Sequence, residues 1–165
     1  MKTLILALMI MHLSALSVKG DQPLLDSKAP EFTLSDQYDK PYNVRQDEGK
    51  IIILLASDKK GSEQNRAWVE TIEKKFKDKI PIIGIADIRG TPRAFSFLVK
   101  REFSKQPVDV LLDWDGIVFT SYGLARHVAN IVLIDKKGIV RHIYSGEATA
   151  EACTGLFNAI DKLGN

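Results

Sequence analysis

Cysteine is nearly missing from this chain, which has one, Cys153, among 165 residues. A lone cysteine excludes an intramolecular disulfide, a Cys-x-x-Cys redox pair and any zinc site built on several thiolates. A surplus of charge is missing as well. Of 23 basic residues against 21 acidic ones, Lys2 and Lys19 fall in the first twenty positions, where no acid stands, so the two signs balance beyond residue 20. Sequence-independent nucleic-acid binding needs a basic excess to neutralise phosphates, and none is left. After residue 16 no apolar run approaches the roughly 20 residues of a membrane-spanning helix. Repeats and low-complexity segments are absent too. What remains, 45% hydrophobic and 27% charged, is the balance of one folded domain.

The amino terminus reads as an address. Met1-Lys2 gives a short positive start, Thr3 to Leu16 is apolar except for His12 and Ser14, and small residues follow at Ser17 and Gly20. This is the pattern of a secretory signal peptide over residues 1–20, with the domain occupying 21–165. Cleavage after Ser17 and after Gly20 both satisfy the small-residue rule. The expected location is a bacterial periplasm or the exterior, with no membrane span once the signal is removed.

Past residue 20 strand-like and helix-like segments alternate. Phe32–Leu34 and Tyr42–Val44 flank a turn-rich stretch and predict an amino-terminal hairpin. Ile51–Ala56 is continuously apolar, as in a strand covered on both faces. A helix is expected next, with Ser62 as its N-cap and Trp68, Val69, Ile72 and Phe76 facing inward. Pro81–Ala86 predicts a second buried strand. Pro92 opens a helix whose Phe95, Leu98, Val99 and Phe103 share one side. Val108–Leu112 predicts a third strand, closed by the Asp113-Trp114-Asp115-Gly116 turn and followed by a short helix up to Tyr122-Gly123. Val128–Ile134 and Ile139–Tyr144 form a hairpin across Asp135–Gly138. His142, alternating with Val140 and Tyr144, is expected on the open surface of the sheet. A last helix, Thr149–Leu163, places Cys153, Leu156, Ile160 and Leu163 on one face, so that Cys153 is a buried small hydrophobe. The fold class is α/β, a central mixed sheet flanked by helices.

Three segments carry a resemblance. Ala29-Pro30-Glu31-Phe32-Thr33-Leu34 resembles the opening of redoxins and peroxiredoxins. Leu111–Gly116 with Tyr122-Gly123-Leu124 is similar to their inserted strand and turn, and Val132–Val140 to their closing hairpin. The order of the three, spanning roughly residues 29–163, implies a thioredoxin-like fold. The whole-chain pattern is similar to that of the YtfJ-type periplasmic proteins of unassigned function. The family's thiol chemistry resides in the loop between the first central strand and the next helix, where the helix end stabilises a thiolate. The matching stretch here, Ser57–Gln64, has no cysteine. Ala129 aligns with the cis-proline that faces that loop in the family.

The resemblance brings Asp58, Lys59, Lys60 and Ser62 opposite Arg126, His127 and Asn130. This group is the candidate binding site, since helix N–H groups with nearby cations suit a carboxylate or phosphate. A Ser62–His127–Asp58 hydrolase triad has the right residue types but lacks the Gly-x-Ser-x-Gly elbow. Asp113-x-Asp115-Gly116 lacks the later ligands of a calcium loop. No metal, cofactor or catalytic residue is expected. Two functions compete. The chain is either a redox-inactive module binding a periplasmic protein, peptide or small anion, or a redoxin-type thiol oxidoreductase or antioxidant protein. Thiol exchange needs a thiolate nucleophile, which favours the first.

Overall fold

The computed structural model describes residues 24–106 and 108–164; the expected signal segment, 1–20, lies outside the described residues. Continuous apolar stretches become the middle of a mixed sheet, and amphipathic ones cover it. The strands are β1 Thr33–Asp36, β2 Pro41–Asn43, β3 Ile52–Asp58, β4 Ile82–Asp87, β5 Val110–Asp113, β6 Asn130–Ile134 and β7 Val140–Ser145, in the order β2-β1-β5-β4-β3-β6-β7. β3, β4 and β5 are parallel, whereas β6, β7, β1 and β2 each join antiparallel. The helices are α1 Asn65–Phe76, α2 Ser96–Phe103, α3 Ile117–Ser121 and α4 Ala150–Asp161.

Alternation along the strands splits the core in two. On one face Leu54, Ile85, Leu111 and Val132 meet Val118 and Phe119 of α3. On the other Ile53, Leu55, Ile131 and Leu133 meet Trp68 and Ile72 of α1 and Cys153, Leu156 and Ile160 of α4. Cys153 is therefore buried, as its spacing implied. The indole N–H of Trp68 donates to the Gly146 carbonyl at 2.9 Å, tying α1 to the turn that leads into α4. Thr149 caps α4, accepting from the Ala152 N–H. The free edge of β7 is partly covered by the chain entering the domain, because Asp26 N–H donates to the Val140 carbonyl and Val140 N–H to that of Ser27. Arg141 fixes this segment through Asp26 and Asp135.

Three local expectations are corrected. Ser62 is not an N-cap: its hydroxyl donates to the Lys59 carbonyl at 2.8 Å, and a 3-10 turn, Gly61–Gln64, precedes α1. His142 does not lie on open sheet surface. The register shift between Leu133 and Ile134 leaves Arg141 as an extra residue, so Val140 and His142 face opposite sides. His142 lies under α4, where a Cβ on Gly155 would stand 3.6 Å from its ring. Its Nε2 is buried without a partner, and burial pulls its pKa down.

The third correction concerns α2 and β4. Phe95, Phe97 and Leu98 are 50%, 64% and 38% exposed, and α2 has no buried residue. On the side of the sheet that carries Gly84 and Ala86, β4 also has Ile82, β1 has Thr33 and Ser35, and β5 has Val110 and Leu112, of which Leu112 alone is buried. The residues of β4 on that side are only half-buried.

Candidate functional site

β3 runs two residues further than its apolar stretch predicted and ends at Asp58, just past the pairing of Ala56 with the first residue of β6, Asn130. The loops leaving these two ends, which the sequence placed opposite one another, are joined by a set of internal bonds. Asp58 is 7% exposed. Its Oδ1 accepts from the Gly61 N–H at 2.9 Å. Its Oδ2 accepts from the His127 backbone N–H at 3.0 Å and stands 2.9 Å from His127 Nδ1. The Arg126 Nε lies 3.8 Å away. Burial pushes the Asp58 pKa up, but the two backbone donors and the neighbouring His127 and Arg126 outweigh it, holding the carboxyl below its ordinary value. The anion at the 3-10 turn that leads into α1 is thus supplied by the chain itself.

Close packing completes the seal. A Cβ at Gly61 would stand 2.3 Å from the Val128 carbonyl oxygen, so only glycine lets the two loops approach this far. His127 adopts a left-handed backbone, φ 68°, which turns its N–H inward to Asp58. Ala129 N–H donates to Gln64 Oε1 at 2.9 Å. A proline at that position would have no N–H to give, so the alanine ties the loop to the 3-10 turn before α1. Asn130 is fully buried. Its Oδ1 accepts from Ala125 N–H and from the Ser145 hydroxyl, and its Nδ2 donates to the Ala56 and Ala125 carbonyls.

The seven candidate residues therefore separate. Asp58 and Asn130 face inward and brace the loops. Lys59, Ser62 and Arg126 are exposed around them. Lys60 and His127 line a cleft of about 480 Å³, together with Glu63, Gln64, Glu147 and Thr149. Half of the triad forms, since Asp58 and His127 pair, but Ser62 turns away to Lys59. Among the described residues no group of three His, Cys, Asp or Glu side chains is placed to hold a metal ion.

Several participants are not singled out by the sequence. Gly61 and Gln64 hold the seal, and Glu63 and Glu147 line the cleft. A glycine just after a strand-ending Ser-Asp was the available signal for the first, and nothing local marked the others. Asp58, Asp87 and Asp113 stand side by side at the carboxyl ends of β3, β4 and β5. Each is satisfied separately: Asp87 by Arg89, which chelates it with contacts down to 2.7 Å, and Asp113 by the Ile117 and Val118 N–H groups that open α3. The single thiol is elsewhere. Cys153 sits in the α1–α4 core, and burial pushes its thiol pKa up.

Comparison with known proteins agrees with this architecture. The AhpC/TSA family description matches residues 25–143. No curated protein matches the sequence. Among solved structures, the pneumococcal exposed lipoprotein thioredoxin of Streptococcus pneumoniae is 19% identical, with a TM-score of 0.62 over 80% of this chain and 99% of that one. A DsbF homologue from Corynebacterium diphtheriae is 18% identical, with a TM-score of 0.59 over 83% and 87%. A SCO1/SenC family lipoprotein from Bacillus anthracis is 13% identical, with a TM-score of 0.59 over 86% and 97%. At such identities the likeness is one of fold, the thioredoxin-like fold. With a family match across residues 25–143, most of its length, the chain belongs to the AhpC/TSA family.

Proposed function

We propose that this chain is a secreted, redox-inactive member of its family that holds an extended segment of a partner protein in the cleft between Lys60 and Glu147. The observation that carries the reading is Asp58. Its carboxylate occupies the loop before α1, where the family's thiolate would be stabilised, and two backbone N–H donors fix it there with His127 Nδ1 2.9 Å away. Neither lysine nor serine can exchange electrons as a thiolate does. The competing reading, a redoxin-type oxidoreductase or antioxidant, would have to work through Cys153, whose burial disfavours the nucleophilic thiolate.

The cleft favours a peptide over a small anion. Lys60 is countered by Glu63 and Glu147 across a space of about 480 Å³, and walls of both signs suit a backbone with mixed side chains better than a single phosphate. Secretion is supported by the pattern of residues 1–20. Two of the similar structures are lipoproteins, exposed on the cell in the pneumococcal case.

The reading is tested on an array of extended peptides tiled from secreted proteins, probed with the chain beginning at Asp21. Binding should be confined to a subset of peptides. It should weaken about tenfold or more when Lys60→Glu is combined with Glu147→Lys. Retention of the same peptides at the same strength by that double variant would place the binding surface elsewhere.

A further inference from the structure

The seal that closes the two loops also fixes one wall of the Lys60–Glu147 cleft. His127 gives its backbone N–H to Asp58 Oδ2 at 3.0 Å, and the same oxygen stands 2.9 Å from its ring Nδ1. A carboxylate oxygen at that distance repels a lone pair and favours a proton, so in the neutral imidazole the hydrogen belongs on Nδ1. The free lone pair is then on Nε2. The side chain is 58% exposed and lines the cleft, so the ring edge away from Asp58 is the one an occupant meets. That edge presents an acceptor.

The rest of the lining sets the charge. Gln64 is engaged through its Oε1 by the Ala129 N–H, and Thr149 through its hydroxyl oxygen by the Ala152 N–H. Lys60 stands against two carboxylates, Glu63 and Glu147. Arg126, outside the lining, lies 3.8 Å from Asp58 and is offset by it. The walls therefore carry one negative charge in excess beside an acceptor of fixed direction. An acidic segment would meet two like charges and a lone pair. A basic one finds counter-charges and supplies the N–H that the lone pair lacks. Building on the reading of the cleft as a peptide site, we propose that its occupant is a basic segment. One of its backbone N–H groups donates to His127 Nε2, and a Lys or Arg side chain reaches Glu63 or Glu147.

The tiled array of secreted-protein peptides supplies the probes, again with the chain from Asp21. Bound peptides should carry Lys or Arg. In the strongest of them, replacing that residue by Glu should weaken binding at least about tenfold, and Glu63→Gln combined with Glu147→Gln should cancel the difference. Methylating its backbone nitrogens one at a time should find one position that costs at least about tenfold. His127→Gly should remove the sensitivity at that position; glycine accepts the left-handed backbone and keeps the N–H that Asp58 holds. Nitrogen NMR of the wild-type imidazole adds a measurement that needs no variant. Its neutral form should be protonated on Nδ1 and bare on Nε2, and the Nε2 resonance should move when the peptide is added. An array without a bound peptide would overturn the peptide cleft and this proposal with it. Bound peptides that are acidic or indifferent to the basic residue, methylation costs unchanged by His127→Gly, or a proton found on Nε2 would leave the cleft reading standing and overturn this one.

Discussion

At the scale of single residues, the proposed function rests on Asp58. Its folded-state pKa is held below the ordinary 3.8, so its bonds contribute stability that is fully present above that value and lost as the pH falls through the folded one. Asp58→Asn keeps the shape, but with a single carbonyl oxygen it cannot accept on both sides from the Gly61 and His127 N–H groups as the carboxylate does. It should cost about 1–3 kcal/mol at neutral pH and flatten the acid limb of the stability curve; urea titrations across the acid range measure both effects. His142 titrates earlier and with the same sign. Burial lowers its pKa from 6.5, so the folded state resists protonation and stability declines as the pH drops below 6.5. His142→Leu should remove that decline while leaving the lower one, attributable to Asp58, in place. Gly61→Ala has a steric meaning: with a Cβ 2.3 Å from the Val128 oxygen, the two loops must separate, at a cost of about 1–3 kcal/mol.

Between elements, the cost of a substitution follows what lies beneath each helix. Trp68 of α1 is fully buried, and Trp68→Ala should destabilise by about 3–5 kcal/mol. Leu98 of α2 is 38% exposed, and Leu98→Ala should change stability by well under that, about 0.5 kcal/mol. Equilibrium unfolding of the two variants side by side checks the contrast. Both helices have apolar stripes, and the stripes look alike in the sequence. Periodicity reports that a helix has an apolar face, but it does not report whether the facing strands offer rows of large apolar residues or, as here, Gly84, Ala86 and Ser35 around a single buried Leu112. β3 was legible because an unbroken apolar stretch has only one suitable place, the middle of the sheet. The bulge at Arg141 was invisible, since one extra residue leaves no compositional mark, and that alone reversed the face expected for His142.

For the molecule as a whole, the fold and the missing sulfur could be read directly, because ordered motifs and a single cysteine are properties of the chain. That the two loops face one another followed from the family resemblance. What they do to each other did not follow. The Asp58–His127 contact spans 69 residues and depends on a left-handed backbone at a histidine, a conformation no local pattern announces. Asp58 and Asn130 thus looked like ligands-in-waiting and are instead braces, with only Lys60 and His127 left facing the cleft. The proposed function has this closure leave the domain without thiol chemistry. The most direct measurement is insulin reduction and peroxide consumption by the chain from Asp21 with a thiol donor, beside Cys153→Ser. The account predicts turnover no higher than the buffer control for both proteins. Turnover above control in the wild type that vanishes in Cys153→Ser would contradict it and move the chemistry to α4.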